Sequence, residues 1–305
     1  MSKTRSIITL GSFDGVHRGH QAILKKVVDR ARIQKAIPTA LVFSMPPRFT
    51  KAPDERILLT TWEEKKQLLE DLGIKQIQPL IFNKKTASTS PEDFFTHTII
   101  GRHHAVEMVV GPRVAFGKNR AGKLPLLYRL GKKAHVQMHV IQGVGSRHQV
   151  VSSSAIRAWL QKGQVEKAAR ALGRYYEVRG TVIKGDQRGR QMGFPTANLE
   201  VDSGKLLPPG VFWVEVLPLK LKGLCNIGTR PTFTPGETRM HVEVFLFGKV
   251  GTLYRRRLRL VFLRRVRAEK KFLSKEALIK QIRADVTKAK KWQKDFALQT
   301  TSHSI

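Results

Sequence analysis

Along the first half of the chain, short apolar runs alternate with helical stripes. Ser6 to Leu10 predicts a strand, and Gln21 to Ala36 repeats apolar residues at Ile23, Leu24, Val27, Val28 and Ala31, the spacing of one helix face. Thr39 to Phe43 predicts a second strand. Thr61 with Glu64 three residues later is a capping box, which opens a helix running to about Leu72. Ile74 to Phe82 predicts a third strand. Ser90 before Pro91 marks a helix start, followed by Phe94, Phe95, Ile99 and Ile100. Val106 to Val110 and Val136 to Ile141 make five strands in all. The alternation predicts an α/β domain, doubly wound and Rossmann-like, with a parallel sheet covered on both faces.

The pattern then changes. Ser152 to Gln161 and Val165 to Leu172 read as two short helices with Gly163 between them. After Gly173 come strand signals at Tyr176 to Ile183, Val211 to Leu217, Leu224 to Ile227, Met240 to Phe247 and Leu258 to Val266. Turn signals such as Pro208-Pro209-Gly210 and Pro235-Gly236 separate several of them, which predicts a small β-barrel. A charged amphipathic helix from about Lys275 to Phe296 follows. The expected domains are 1–172 and 173–305.

Composition narrows the function classes. The 305 residues carry 56 lysines and arginines against 23 aspartates and glutamates, a net charge of +33. Such a surface attracts polyanions and says little about fold. One cysteine, Cys225, excludes an internal disulfide and a cysteine metal cluster. The stretch from Met1 to Leu10, a short basic start leading into an apolar run, is too short for a signal h-region, and no apolar run approaches the roughly 18 residues of a membrane span. The expectation is a soluble, cytoplasmic protein without membrane contact. Nothing in the sequence fixes an oligomeric state.

Two segments carry chemistry. Gly11-Ser12-Phe13-Asp14-Gly15-Val16-His17-Arg18-Gly19-His20 joins the first strand to the first helix, the crevice position where open α/β sheets bind ligands. Its glycines let backbone approach a phosphate, the helix N-terminus offers free N–H groups, and His17 and His20 lie three apart. Farther on, Gly185, Gly189 and Gly193 form a loop suited to wrapping phosphates. Thr196 and Asn198 are hard oxygen donors two apart, suited to Mg²⁺ bound together with phosphate oxygens. The run Gly117-x-x-x-x-Gly122-Lys123 imitates a P-loop, but Leu124 stands where that motif needs Ser or Thr, so the reading is rejected.

Taken with their neighbours, these segments resemble the bacterial bifunctional riboflavin kinase/FMN adenylyltransferases, also called FAD synthetases. The first matches the signature G-x-F-D-G-V-H-x-G-H. Val151-Ser152-Ser153-Ser154-Ala155-Ile156-Arg157 resembles the family's I-S-S-T-x-I-R element, and Phe116 to Gly122 resembles a loop that reaches the flavin phosphate. In the second half, Gly193-Phe194-Pro195-Thr196-Ala197-Asn198-Leu199, Leu207 to Phe212, Asn226 to Phe233, Val242-Glu243-Val244 and Arg267 to Phe272 resemble riboflavin kinase. The resemblance runs from about Ile7 to Trp292.

It implies a nucleotidyltransferase domain followed by a kinase barrel, with ATP as co-substrate, Mg²⁺, and riboflavin and FMN as the flavin substrates. It implies that His17, His20 and Arg157 neutralise charge in adenylyl transfer and that Glu243 is the base of the kinase. Gly11, Phe13, Asp14, Gly19, Ser152, Ser153, Gly185, Arg190 and Gly193 would bind ATP or phosphate. Asn119, Arg120 and Arg267 would bind flavin, and Thr196 and Asn198 the metal.

Three departures stand out. Ser44 and Met45 replace family residues after the second strand. Arg113 replaces a small carboxylate or amide. Phe245-Leu246-Phe247 with Leu253-Tyr254-Arg255 lack an acid and a glycine of the kinase rim. They open a second reading, a working kinase beside a weakened adenylyltransferase. A third reading, a basic nucleic-acid-binding protein on this scaffold, rests on charge alone. The basic runs 254–257 and 288–291 are expected to be solvated faces.

Overall fold

β1 (Ser6–Gly11) leads into α1 (Arg18–Gln34), β2 (Ile37–Phe43), α2 (Trp62–Asp71), β3 (Gln76–Leu80), a short α3 (Lys84–Ser88) and α4 (Pro91–Asp93). The computed structural model describes residues 4–43, 57–81, 83–142, 145–146, 149–185, 188–229, 240–248 and 250–301. α4 continues as a wider, π-type helix over Phe94–Arg102, and β4 (Ala105–Val110), α5 (Leu124–Lys133) and β5 (Gln137–Val140) follow. A two-residue ribbon, β6 (Gly145–Ser146) with β7 (Gln149–Val150), precedes α6 (Ser153–Gln161) and α7 (Val165–Leu172). Then come β8 (Tyr176–Ile183), α8 (Arg188–Gln191), β9 (Thr196–Val201), β10 (Gly210–Leu217), β11 (Leu221–Gly228), β12 (His241–Leu246), β13 (Arg257–Arg267) and α9 (Lys275–Thr301). The chain divides into two compact units, residues 1–153 and 154–305.

In the first unit five parallel strands lie in the order β3-β2-β1-β4-β5. Alternate residues of β1 feed opposite faces. Ile7 packs with Leu24, Val27 and Ala31 of α1 and Leu69 of α2, while Ile8 packs with Phe95, Ile99 and Leu127 on the other side. This is the predicted doubly wound arrangement. Its order reverses between β1 and β4, and ligands bind beyond the strand ends at such a point. Glu107 on β4 ties α1 to the sheet. Its buried carboxylate accepts two hydrogen bonds from Arg30, at 2.6 and 2.7 Å, one from Gln34 at 2.8 Å, and faces His139 of β5 at 2.8 Å. The Arg30 guanidinium beside it holds the Glu107 carboxyl below the usual carboxylate range.

The second unit is a closed barrel in the order β10-β11-β12-β9-β8-β13, all neighbours antiparallel. Phe212, Val214, Cys225, Ile227, Val244, Leu260 and Phe262 are fully or almost fully buried. A second apolar layer joins Trp213, Leu224, Leu263 and Val266 of the barrel to Ala289 and Trp292 of α9. The Trp292 ring carries the Arg264 guanidinium 4.4 Å and the Lys288 ammonium 5.2 Å from its centre.

Among the elements that the sequence reading did not give, α5 and β9 are the longest. α5 begins at Leu124 with Pro125 in its first turn, where the missing N–H costs nothing. β9 occupies a stretch to which the sequence reading gave no element. Its Ala, Asn and Glu are poor strand formers, yet β8 and β12 pair with it on both sides.

Candidate functional sites

The first site lies at the switch point of the sheet. Asp14, fully buried, accepts hydrogen bonds from the backbone N–H of Leu59 and Thr60 at 3.1–3.2 Å and from the Thr60 hydroxyl at 3.2 Å. Gly15 N–H donates back to Thr60 Oγ1 at 3.0 Å. The loop after β1 is thereby laced to the segment that caps α2, and each such bond to a carboxylate contributes about 1.5–3 kcal/mol. Phe13 and Val16 adopt left-handed backbone, with φ of 46° and 39°. Strain of this kind, costly for a β-branched residue, gathers at functional loops.

His17 caps α1: its Nδ1 accepts from His20 N–H at 3.3 Å. The two imidazoles stack with centres 3.6 Å apart, and the Phe13 ring meets His20 edge-on at 5.3 Å. A Cβ on Gly19 would sit 3.1 Å from His17 Cε1, and one on Gly11 3.1 Å from the Phe13 ring, so both glycines make room for the motif's own side chains. Among the described residues, His20 Nδ1 is shielded from solvent without a hydrogen-bond partner. Burial, then the charges of His17, Lys65 and Arg113, hold the His20 imidazole well below the usual histidine range.

Ser153 donates to Asp14 O at 2.9 Å, bringing the second predicted element, with Ser152 beside it, onto the first. Arg113 follows the end of β4, on the other side of the switch point. Asn119 and Arg120 form a tight turn in which both are left-handed, with φ of 53° and 59°. Arg157 is buried on α6 and belongs to the second unit. Ser44 and Met45 lie outside the described residues.

The second site runs along the outer surface of the barrel. Asn198 of β9 stands directly opposite Glu243 of β12, which stands opposite Asn226 of β11. Directly paired residues share a face, so the three side chains form one row, and Thr196, two residues from Asn198, lies on the same face. Thr196, Asn198, Gly185 and Arg190 line a cleft of about 1330 Å³, together with Phe194, Phe245, Phe247 and Tyr254. A Cβ on Gly185 would collide with the Asn198 amide, and one on Gly189 would come 3.1 Å from Thr196 Oγ1. Gly193 supplies a positive φ of 82° at the turn into β9.

Behind the row, burial and the charge of Glu243 push the Cys225 thiol up, so it stays protonated and inert. Arg267 is not brought to the cleft. Its Nε donates to Asp285 of α9 at 2.8 Å and its guanidinium lies 5.6 Å from the centre of the Phe272 ring, a fastening for α9. Glu269 fastens the family's N-I-G segment by accepting Thr229 N–H at 3.0 Å.

Sequence reasoning missed the part α9 takes. Val286, Lys290, Gln293 and Lys294, one helix face, line the cleft, and Lys290 Nζ lies 5.9 Å from the centre of the Phe247 ring. The run 288–291 is therefore more than a solvated face. The spacing of these four residues was the available signal.

The FAD synthetase family matches residues 1–155 and the riboflavin kinase family residues 172–293. A bifunctional riboflavin kinase/FMN adenylyltransferase from Bacillus subtilis (strain 168) is 34% identical over 301 residues, 94% of this chain and 92% of its own. The chain belongs to that family. The Pseudomonas fluorescens member is 33% identical over 287 residues, covering 93% of this chain and 92% of its own. A crystal structure described as a macrolide-efflux protein from Streptococcus pneumoniae superposes with a TM-score of 0.85 at 26% identity, covering 96% of both chains. Family members pair the two domains found here, and ATP is the co-substrate that both activities require. Nothing in these matches favours a nucleic-acid-binding scaffold. Among the described residues no helix is long and apolar enough to cross a membrane.

Proposed function

We propose that the barrel cleft phosphorylates riboflavin to FMN and that the switch-point site converts FMN to FAD. The observation that carries the reading is the row in which Glu243 stands opposite Asn198, which lines a cleft of about 1330 Å³ together with Thr196 and Gly185. Glu243 accepts the proton of the riboflavin 5′-hydroxyl as that oxygen attacks the γ-phosphate of ATP, and ADP leaves. Gly185 and Arg190 hold the phosphates.

The donor set suits Mg²⁺. Thr196 and Asn198 are neutral hard oxygens, and among the described residues no group of three His, Cys, Asp or Glu gathers elsewhere for a metal. Magnesium bound partly through phosphate oxygens needs no more protein than this, and when bound it neutralises phosphate charge. In the first unit His17, His20 and Ser153 hold the triphosphate, and Asn119 and Arg120 meet the FMN phosphate. We place the functional boundary after Leu172, in a cytoplasmic enzyme.

Arg113 favours a finer version in which FAD formation lags. It adds charge beside His20 where the family places a carboxylate or amide. The test is one incubation with riboflavin, ATP and Mg²⁺, with riboflavin, FMN and FAD separated over time. FMN appears first and FAD later. Well-folded protein that forms no FMN removes the kinase reading. FAD without FMN build-up removes the lag.

A further inference from the structure

The cleft carries the proposed base at one end and a cation at the other. Glu243, Phe245 and Phe247 are two apart, so their side chains share the outer face of β12 and its continuation. Phe247 follows the last residue of the strand, and its N–H still donates to Lys222 O at 2.8 Å, which extends the ladder. At the rise of a strand Phe247 lies roughly 13 Å beyond Glu243. The Phe194 and Phe247 rings each meet Phe245 edge-on, with centres 5.5 and 5.9 Å away, and together they form an aromatic floor. α9 stands at the far end, where Lys290 Nζ lies 5.9 Å from the centre of the Phe247 ring and Gln293 lines the cleft beside it. Among the described residues that line the cleft, the charged side chains are Arg190, Lys290 and Lys294, none of them acidic. An ammonium has three donors, and a ring at that distance does not use them up. Gln293, three positions along the same helix face, adds the acceptor that lysine lacks.

We propose that Lys290 and Gln293 are flavin-specificity residues of the kinase cleft, recognising the pyrimidine rim of the isoalloxazine ring. The proposal rests on the riboflavin kinase reading of the barrel. Riboflavin carries its reacting hydroxyl at one end of a ribityl chain and its tricyclic ring at the other. With the 5′-hydroxyl at Glu243, the ring comes over the phenylalanines and its rim reaches α9. One rim of that ring is apolar and carries two methyl groups. The other is an imide, in which two carbonyl oxygens flank the N3–H. Lys290 donates to one carbonyl, and the Gln293 amide accepts from N3–H and donates to the second carbonyl. The methyl rim would leave all of these groups without partners, which is the costly arrangement. Phosphate is not what Lys290 meets, because Gly185, Thr196 and Asn198 gather at the other end, across from Glu243 and Phe245.

The test measures FMN formation by the full-length protein, varying riboflavin and ATP separately, for wild type, Lys290→Met, Lys290→Arg and Gln293→Leu. The probe is 3-methylriboflavin, which replaces N3–H by N–CH3 and keeps the methyl rim. Wild type uses it with kcat/KM roughly a hundredfold below that for riboflavin, because it leaves the Gln293 acceptor unpaired. Lys290→Met raises KM for riboflavin roughly tenfold and leaves kcat and KM for ATP near wild type, the pattern of lost uniform binding. Lys290→Arg recovers most of that loss. Gln293→Leu brings the preference for riboflavin over 3-methylriboflavin down to about threefold, since leucine asks nothing of N3. Both side chains are exposed, so the variants keep the wild-type melting transition. Wild-type protein that accepts 3-methylriboflavin as readily as riboflavin overturns the proposal, whatever the variants do. So does an unchanged KM for riboflavin in Lys290→Met, or a raised KM for ATP alone, which would make Lys290 a phosphate contact. Undiminished discrimination in Gln293→Leu removes that residue from the role. Wild-type protein that forms no FMN from riboflavin defeats the kinase reading itself, and the flavin contacts with it.

Discussion

Gly185→Ala tests the kinase cleft through one methyl group. Gly185 lies outside the left-handed backbone region, so alanine brings no penalty of that kind. The new Cβ collides with the Asn198 amide, which must retreat by about an ångström to regain van der Waals contact. Asn198 cannot retreat by moving its backbone, because β9 is paired to β8 on one side and β12 on the other. Its side chain therefore turns away from Thr196 and Glu243. A misplacement of that size costs roughly a hundredfold in rate, or about 2.7 kcal/mol of transition-state stabilisation. The assay follows FMN by fluorescence after separation, at several Mg²⁺ concentrations. The variant should need more Mg²⁺ and reach a lower plateau, while FAD formation from supplied FMN stays unchanged. Wild-type plateau and metal dependence in Gly185→Ala would refute the argument that this glycine exists to seat Asn198.

Glu243→Gln should lower kcat for FMN formation by about two to four powers of ten while ATP binding by calorimetry stays near wild type; an unchanged kcat removes the base. Glu107→Gln should cost the first unit about 3 kcal/mol, the usual penalty for breaking a buried pair. Because the folded Glu107 pKa is depressed, its contribution is present above the ordinary carboxylate value and is lost as pH falls through the depressed one. The gap between variant and wild-type melting temperatures should therefore close in acid, and a gap independent of pH argues against this account. Arg113→Asp should raise the FAD-to-FMN ratio in the coupled incubation, and an unmoved ratio clears Arg113 of slowing the second step. The net charge of +33 should give sequence-independent retention on a polyanion column that falls steeply with salt through counterion release; equal retention on a neutral matrix contradicts it.

The parallel sheet, the barrel and the places of the two candidate loops were legible because each rests on local chemistry. The capping box at Thr61 and Glu64 is present as read, and the histidine loop follows β1 as its glycines require. What escaped depends on long-range pairing. β9 has no strand composition of its own, and its neighbours impose the conformation. Lys290 sits in a basic run that composition alone assigns to solvent, and only the packing of Trp292 and Ala289 turns it towards the cleft. Arg267 sits at a family motif position, and its guanidinium is engaged by Asp285, a partner 18 positions away that the motif does not show.

The cleft draws its walls from residues 182 to 294, and α9 provides the last of them. During synthesis the barrel strands leave the ribosome before α9 does. Until that helix docks, Trp213, Leu224 and Val266 form an uncovered greasy stripe on the nascent barrel, beside the half-built cleft. Catalytic competence and protection from clumping therefore arrive together, with the same helix. A chain interrupted before Lys275 would be both inert as a kinase and sticky, which marks it for disposal.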